Sequence, residues 1–466
     1  MASIIRTDRW KLKPSSTQRL WIRRTQAEYR AYVQALIGVV WVRWPTIATA
    51  GSQCVAVEAL VHATSKRPAI RYPYFDRHFR KFPSYLRRAA IRAAVGQVAS
   101  FATRYDRWQG GVRQRRTVAP PRRTGVNAIN PALYRGQNVK FDKDYTVASI
   151  KVWNGTDWVW ADVPITGKRR RHEASANKAL SPTLLVQGDR TCLAVPFKIP
   201  KVWPSASDAP VCAVDLGINT TATASIVHSD GTVTARRFVH RAADIDRRDR
   251  GLVRIRGRAR KTAKLSRGFC RALYRKAQHR NLELSRQVAR ELVAFAQANE
   301  AAVMVFEHLK GWRPRGGQAR STLRQRFHGW LHRALVKRVQ AIAEEVGLRV
   351  GFVNPKNTSA LAFDGSGPLS RDSHNAALAT FKTGKHYNAD LSASYNIGAR
   401  YWYQRLTGGN DRQARLGGSP RSVPGIRVTL STLWELANAG TRTTVEVGEA
   451  LASSAPRGAD AATTTA

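Results

Sequence analysis

Three carboxylates stand in three short contexts along the second half of the chain: Asp215 in VCAVDLGINTTATA, Glu307 in AAVMVFEHLKGW and Asp390 in HYNADLSASYNIGAR. Any one of them alone reads as easily as an ordinary strand-end or helix-cap residue. Together, in this order and with these neighbours, they read as one metal site assembled from distant segments. Carboxylates brought close repel one another unless cations lie between them, and hard divalent ions, magnesium first, suit an all-oxygen set. The chemistry such a set supports is two-metal phosphodiester hydrolysis. One ion lowers the pKa of a water to make the nucleophile, and a second, roughly 3.5–4 Å away, stabilises the leaving oxygen.

The flanking residues say what must hold each acid. Cys212 to Val214 reads as a buried strand that ends at Asp215, and Gly217 then lets the backbone turn close to a ligand. Residues 301–306 (AAVMVF) form a second apolar run, too short for a helix and long enough for a buried strand, ending at Glu307. Asp390 opens a helical stretch, where a carboxylate suits the N-terminus. After Asp215, TATASIV and VTARRFV flank Asp230-Gly231, a strong hairpin cue.

These motifs resemble the RuvC-type nuclease of transposon-encoded TnpB proteins and of the compact type V CRISPR effectors related to them, over about residues 211–407. Asp215, Glu307 and Asp390 match the acids of the first, second and third motifs. The text between them agrees, with LELSRQVARELVAFAQAN ahead of Glu307 and GWLHRALVKRVQAIAEEVGLRVGFVNPKNTS after it. The resemblance implies an α/β multidomain chain: an RNase H-like nuclease domain with a helical insertion, and an N-terminal β-barrel (wedge) domain carrying a helical recognition region. It implies catalytic and magnesium-binding roles for the three acids, with two ions. It further implies a guide RNA and a target double-stranded DNA as partners, and recognition of a short flanking motif on the duplex. A monomer or an asymmetric dimer, working in a bacterial or archaeal cytoplasm, fits that reading.

Three departures stand out. Members of that family commonly carry a zinc ribbon of two CxxC pairs, yet residues 357–389 hold no cysteine, so a four-thiolate site there is impossible and no zinc is expected. His374, His386, Asp364 and Asp372 match no common metal-site spacing, and the segment reads as a solvated loop forming a flexible lid. The other departures are His308, where an acid often follows the second-motif Glu, and Ser392, where an Asn often follows the third-motif Asp.

Composition points the same way. Lys plus Arg number 78 against 31 Asp plus Glu, a net charge of +47 over 466 residues, which calls for a polyanionic partner. A ribosomal component would be shorter and lack the acid motifs. No apolar stretch reaches the roughly 18 residues of a membrane span, and no secretory signal is legible at the N-terminus. Cys54, Cys192, Cys212 and Cys270 are scattered, as suits reduced thiols.

Periodicity separates a helical stretch within 25–125 from strand-like alternation within 126–205. The resemblance implies that 1–24 starts the wedge domain, 25–125 is its helical recognition region, 126–205 its β-barrel and 206–407 the nuclease, with a basic insertion over 244–300, while 408–466 reads as a mostly disordered tail in which STLWELANA forms one short helix. Candidate nucleic-acid contacts are Arg87, Arg88 and Arg92 on a helix starting near Pro83, Arg169, Arg170 and Arg171 in KRRRH, and Arg256, Arg258, Arg260, Lys264, Arg271 and Arg275 in the insertion. Arginines on such helices can also be a solvated face. The insertion, however, carries fourteen Lys or Arg between Arg247 and Arg280 against one acid, and would repel itself without a counter-polyanion. Trp153, Trp158 and Trp160 lie in a hairpin that turns at Asn154-Gly155, where half-buried packing is favoured over base stacking. Two rivals to a guided nuclease remain: a guided DNA-binding protein that does not cut, and a guide-independent transposase or resolvase.

Overall fold

In ASIIRTDRWKL the even-numbered residues Ile4, Asp8, Trp10 and Leu12 turn inward, which builds a long half-buried strand, β1 (Ala2–Leu12). The structure, a computed structural model, describes residues 2–121, 128–168, 172, 177–203, 209–217, 220–262, 265–266, 268–309, 332–372, 374–375, 377–407 and 427–439. The chain divides into two units, Met1–Lys201 and Val202–Ala466.

In the first unit β1 is followed by α1 (Ser16–Val42), α2 (Trp44–Ala48), α3 (Gln53–Val61), α4 (Tyr74–His78) and α5 (Ser84–Gln109). The helical region therefore opens at Ser16 and not at residue 25. The reason is a capping box: Gln18 N–H donates to the Ser15 hydroxyl while the Gln18 side chain accepts from Ser15 N–H. Tyr32, Val33 and Leu36 on α1 and Leu86, Ile91 and Ala94 on α5 belong to one apolar core. The strands that follow are β2 (Val139–Phe141), β3 (Val147–Trp153), β4 (Trp158–Gly167), β5 (Lys178–Ala179), β6 (Thr183–Gln187) and β7 (Arg190–Lys201). They make a seven-stranded sheet ordered β2-β3-β4-β1-β7-β5, with β6 also pairing β7, and a second core lies beneath Trp10, Ile150, Val163 and Leu193. β1 pairs antiparallel with β7 along its whole length, so the first residues of the chain are strand partners of the last residues of the unit.

The second unit is organised by a five-stranded sheet ordered β10-β9-β8-β11-β12, made of β8 (Val211–Asp215), β9 (Ala222–Val227), β10 (Val233–Val239), β11 (Val303–Glu307) and β12 (Arg349–Val353). β8, β9 and β10 run antiparallel, and β11 and β12 run parallel to β8. Between β10 and β11 lie α6 (Ala242–Arg260) and α7 (Arg271–Ala298), and α8 (His332–Val346) precedes β12. A small antiparallel sheet, β13 (Ser370–Arg371), β14 (Leu378–Thr380) and β15 (His386–Asn388), leads into α9 (Ala389–Leu406). A last helix, α10, covers 430–439.

The continuous apolar runs follow from burial on both faces. Cys212 and Val214 share a core with Leu292, Val293 and Val339 from α7 and α8, whereas Val211 and Ala213 share one with Tyr395, Ile397 and Trp402 of α9. Two expectations are corrected. The 357–389 segment is no solvated loop, because Phe363 and Phe381 are buried and pack with Tyr387 and Tyr395 at ring separations of 5.1 to 6.2 Å. The tail expected from residue 408 is not wholly disordered either, since the helix read over STLWELANA is present as α10 and packs on the core. Val428, Leu430 and Leu433 are buried in the same core, and Trp434 Nε1 donates to Gly231 O at 3.1 Å. Of the expected tail, 408–426 and 440–466 lie outside the described residues.

Candidate active site

The parallel register of β8 and β11 pairs Val214 with Phe306, so Asp215 and Glu307, one residue further along each strand, end adjacent strands side by side. Neighbouring strands lie about 4.8 Å apart. Asp390 reaches the same end from α9, whose N-terminus is fixed by Asn388: its side-chain oxygen accepts from Asp390 N–H at 3.0 Å and from Leu391 N–H at 2.9 Å. α9 is seated on β9 by the Ser225–Ser394 hydroxyl pair (2.5 Å) and by Trp402 Nε1 donating to Val227 O at 2.9 Å. Gly398 lies so close to Val227 that an added Cβ would stand 2.7 Å from Cγ2.

The carboxylates feel one another. Burial raises the Asp215 carboxyl well above its ordinary value, and the charges of Glu307 and Asp390 push it further, with Arg371 as the main opposing cation. Burial also raises Glu307, against which a hydrogen bond from the Thr358 hydroxyl and the charge of Arg400 act. Asp390 is raised by burial and held back first by Arg371, then by Thr220 and His240.

Two of these partners carry no signal in the sequence. Arg371, on β13 of the segment read as a lid, brings Nη1 to 4.0 Å from Asp390 Oδ1. Thr358 is buried, 51 residues from its partner Glu307 in sequence, and its loop is tied to α9 through Asn396 Nδ2 donating to Thr358 O at 3.1 Å. Arg400 Nη1 holds the same loop through Asn354 O at 2.7 Å and Lys356 O at 2.6 Å. The flanking departures have structural roles. Ser392 Oγ accepts from Phe363 N–H at 3.1 Å, and His308 N–H donates to Val353 O at 2.8 Å. Asp364 accepts from Ser366 N–H, and Asp372 from His374 and Asn375 N–H, so both serve as turn caps. The close approach at Gly217 is to the chain's own Thr220 O, 2.4 Å from where a Cβ would stand.

Hard oxygen donors under mutual repulsion fit divalent cations in kind. As they stand they are not a closed set: among the described residues no group of three His, Cys, Asp or Glu side chains reaches metal-ligand spacing.

The basic residues separate into kinds. Arg92, Arg256, Arg258, Arg260, Arg271 and Arg275 are exposed. Arg87 is a correction: it is 8% exposed, with Nε 3.0 Å from Glu58 Oε1, and holds α5 to α3. Arg88 lies 3.6 Å from the other oxygen of that carboxylate. Arg169, Arg170, Arg171 and Lys264 lie outside the described residues.

Residues 6–154 match the model of a family described as the Aq_aa04 family. A curated protein of Aquifex aeolicus (strain VF5), TnpB-like protein aq_aa05, is 30% identical over 159 residues, which is 32% of this chain and 51% of that protein. Over those residues the chain is similar to this TnpB-like protein. It spans about half the length of that curated TnpB-like relative. Solved structures similar to it include the protein of a Cas12f1–sgRNA–target DNA complex, 12% identical over 82% of each chain with a TM-score of 0.49. Another is a mini-RNA-guided endonuclease, CRISPR-Cas_phi3, 13% identical over 90% of this chain and 94% of that one, with a TM-score of 0.48.

Proposed function

We propose that this chain is a metal-dependent DNA endonuclease guided by RNA, with Asp215, Glu307 and Asp390 as the acids of one RuvC-like site. The observation that carries the proposal is that Asp215 and Glu307 end the adjacent parallel strands β8 and β11 and that Asp390 opens α9, which is seated on the same sheet through Ser394 and Trp402. The strand order β10-β9-β8-β11-β12, three antiparallel strands and then two parallel, supports the RNase H-like reading of that unit. Magnesium, when bound, would activate water and stabilise the leaving oxygen. The protein's part is to aim the carboxylates and to offset part of the burial and repulsion that favour their protonated forms. Thr358 and Arg400 favour the ionised Glu307, Thr220 and Arg371 favour the ionised Asp390, and the packing of α9 on β9 sets the height of Asp390 above the sheet. RNA guidance rests on the resemblance of the three motifs to TnpB proteins, in which pairing reads sequence and the protein reads a short flanking motif.

The test starts with expression alongside the native flanking DNA, purification at moderate salt and sequencing of the bound nucleic acid. One abundant RNA with a constant scaffold and a variable end supports guidance, whereas a heterogeneous smear or no RNA removes it. Cutting of a matched duplex should then require magnesium and drop by several orders of magnitude in Asp215→Ala, Glu307→Ala or Asp390→Ala, with binding kept. Near-normal cutting by any of the three removes the site assignment. A second reading, guided occupancy of DNA without cutting, draws on the open ligand set. It predicts that magnesium removal changes neither binding nor the state of the DNA.

A further inference from the structure

The hairpin tryptophans do not share one role. Trp158 is buried, and Trp153 packs against the helical core beside it, but Trp160, further along β4, is 41% exposed. It is also the tryptophan under two cations: Lys140 Nζ stands 4.9 Å and Lys151 Nζ 5.9 Å from its ring centroid. The register fixes this group. Lys151 on β3 is the direct cross-strand partner of Trp160, and Lys140 on β2 pairs with Ser149, two residues from Lys151. Beneath them Val139, Ile150 and Ala161 are buried, so the platform rests on a packed sheet. The neighbouring acid on this face, Asp162, is the cross-strand partner of Ser149 and accepts its hydroxyl hydrogen.

We infer that Trp160, Lys140 and Lys151 form a binding site for an unpaired nucleotide, with the base on the indole face and its phosphates between the two ammonium groups. The charge fits. A chain of net charge +47 requires a polyanion, and a planar aromatic flanked by lysines is the combination that binds single strands without reading sequence. A duplex keeps its bases stacked and offers this face phosphate alone. Without ligand the lysines lie over the ring; a surface cation–π contact is weaker than stacking of a base plus a phosphate contact, so a nucleotide displaces them from the ring onto its own phosphate. The inference rests on the chain being a nucleic-acid binder and is indifferent to what the three acids do.

The test uses the full chain, fluorescein-labelled 12-nucleotide oligouridylate and oligothymidylate, and a blunt 12-base-pair DNA duplex, titrated across a salt series. Trp160→Ala should weaken single-strand binding by about 5- to 150-fold at high salt and leave duplex binding unchanged. Trp160→Phe, which keeps a ring face, should lose much less. Lys140→Gln with Lys151→Gln should reduce the slope of log affinity against log salt by about 1.4 for single strands. Ultraviolet crosslinking followed by tandem mass spectrometry should find the adduct on Trp160, and whether RNA, DNA or both form it names the source. Unchanged single-strand affinity in the Trp160 and double-lysine variants, with crosslinks only elsewhere, overturns the site while leaving nucleic-acid binding intact. Failure of the wild-type chain to bind any of the three probes overturns the broader reading.

Discussion

Arg371 is the main cation facing Asp215 and Asp390, and replacing it with Gln tests what the site needs in place of metal. At 4.0 Å the Arg371–Asp390 pair corresponds to about 4 kcal/mol of attraction at an effective dielectric of 20 and about 1 kcal/mol in water. The Arg371 side chain is 38% exposed, which puts the net worth near the lower end, about 1–2 kcal/mol. Arg371→Gln should therefore lower the melting temperature in EDTA by about 2–8 °C for a unit of this size. With saturating magnesium the difference should shrink, because ions binding the same carboxylates take over the neutralisation. The variant, relieved of a competing cation, should also bind the metal more tightly. Thermal melts of both proteins across a magnesium titration decide the matter. An equal loss with and without magnesium would make Arg371 a purely structural residue, and no loss in either condition would mean the pair is screened to nothing.

Other outcomes follow from the same geometry. Asp215→Asn should abolish cutting yet stabilise the metal-free protein at neutral pH. The raised carboxyl holds its proton more tightly folded than unfolded, so wild-type stability falls as pH rises from the ordinary carboxylate range through the raised value, and the variant should flatten that decline in denaturant titrations at pH 5 and pH 8. An unchanged pH dependence would refute it. Thr358→Val removes the hydroxyl that lowers Glu307, so cutting at pH 7 should drop about tenfold or more and recover as pH is raised, whereas Thr358→Ser should behave as wild type; a loss that is the same at every pH counts against this role. Gly398→Ala gains about 1 kcal/mol of helix propensity but forces a Cβ to 2.7 Å from Val227, an overpacking cost of about 1–3 kcal/mol. It should lower both stability and cutting, and Val227→Ala should restore both. Failure of that rescue would place the clash elsewhere.

Much of the second unit is legible from local pattern. The apolar runs ending in Asp215 and Glu307 are short, bounded and buried on both faces, and the Asp230-Gly231 turn joins β9 to β10 in antiparallel register. Such features depend on neighbours along the chain, which sequence displays directly. The N-terminal hairpin is legible for the same reason, with Lys151 and Trp160 brought opposite one another by the turn at Asn154 and Gly155.

What the sequence by itself determined is the strands ending at Asp215 and Glu307, the hairpins turning at Asp230-Gly231 and Asn154-Gly155, the helix that Asp390 opens and the demand of a +47 chain for a polyanion. Tertiary structure alone decided the rest. It matched Arg371 to Asp390 and Thr358 to Glu307, buried Arg87 against Glu58, exposed Trp160 while covering Trp158, and drew residues 428–433 into the core. The physical reason is that burial and charge pairing are properties of position in space. Arg87 and Arg92 lie on the same helix and look alike in sequence, and only the packing of α3 against α5 takes one of them out of water.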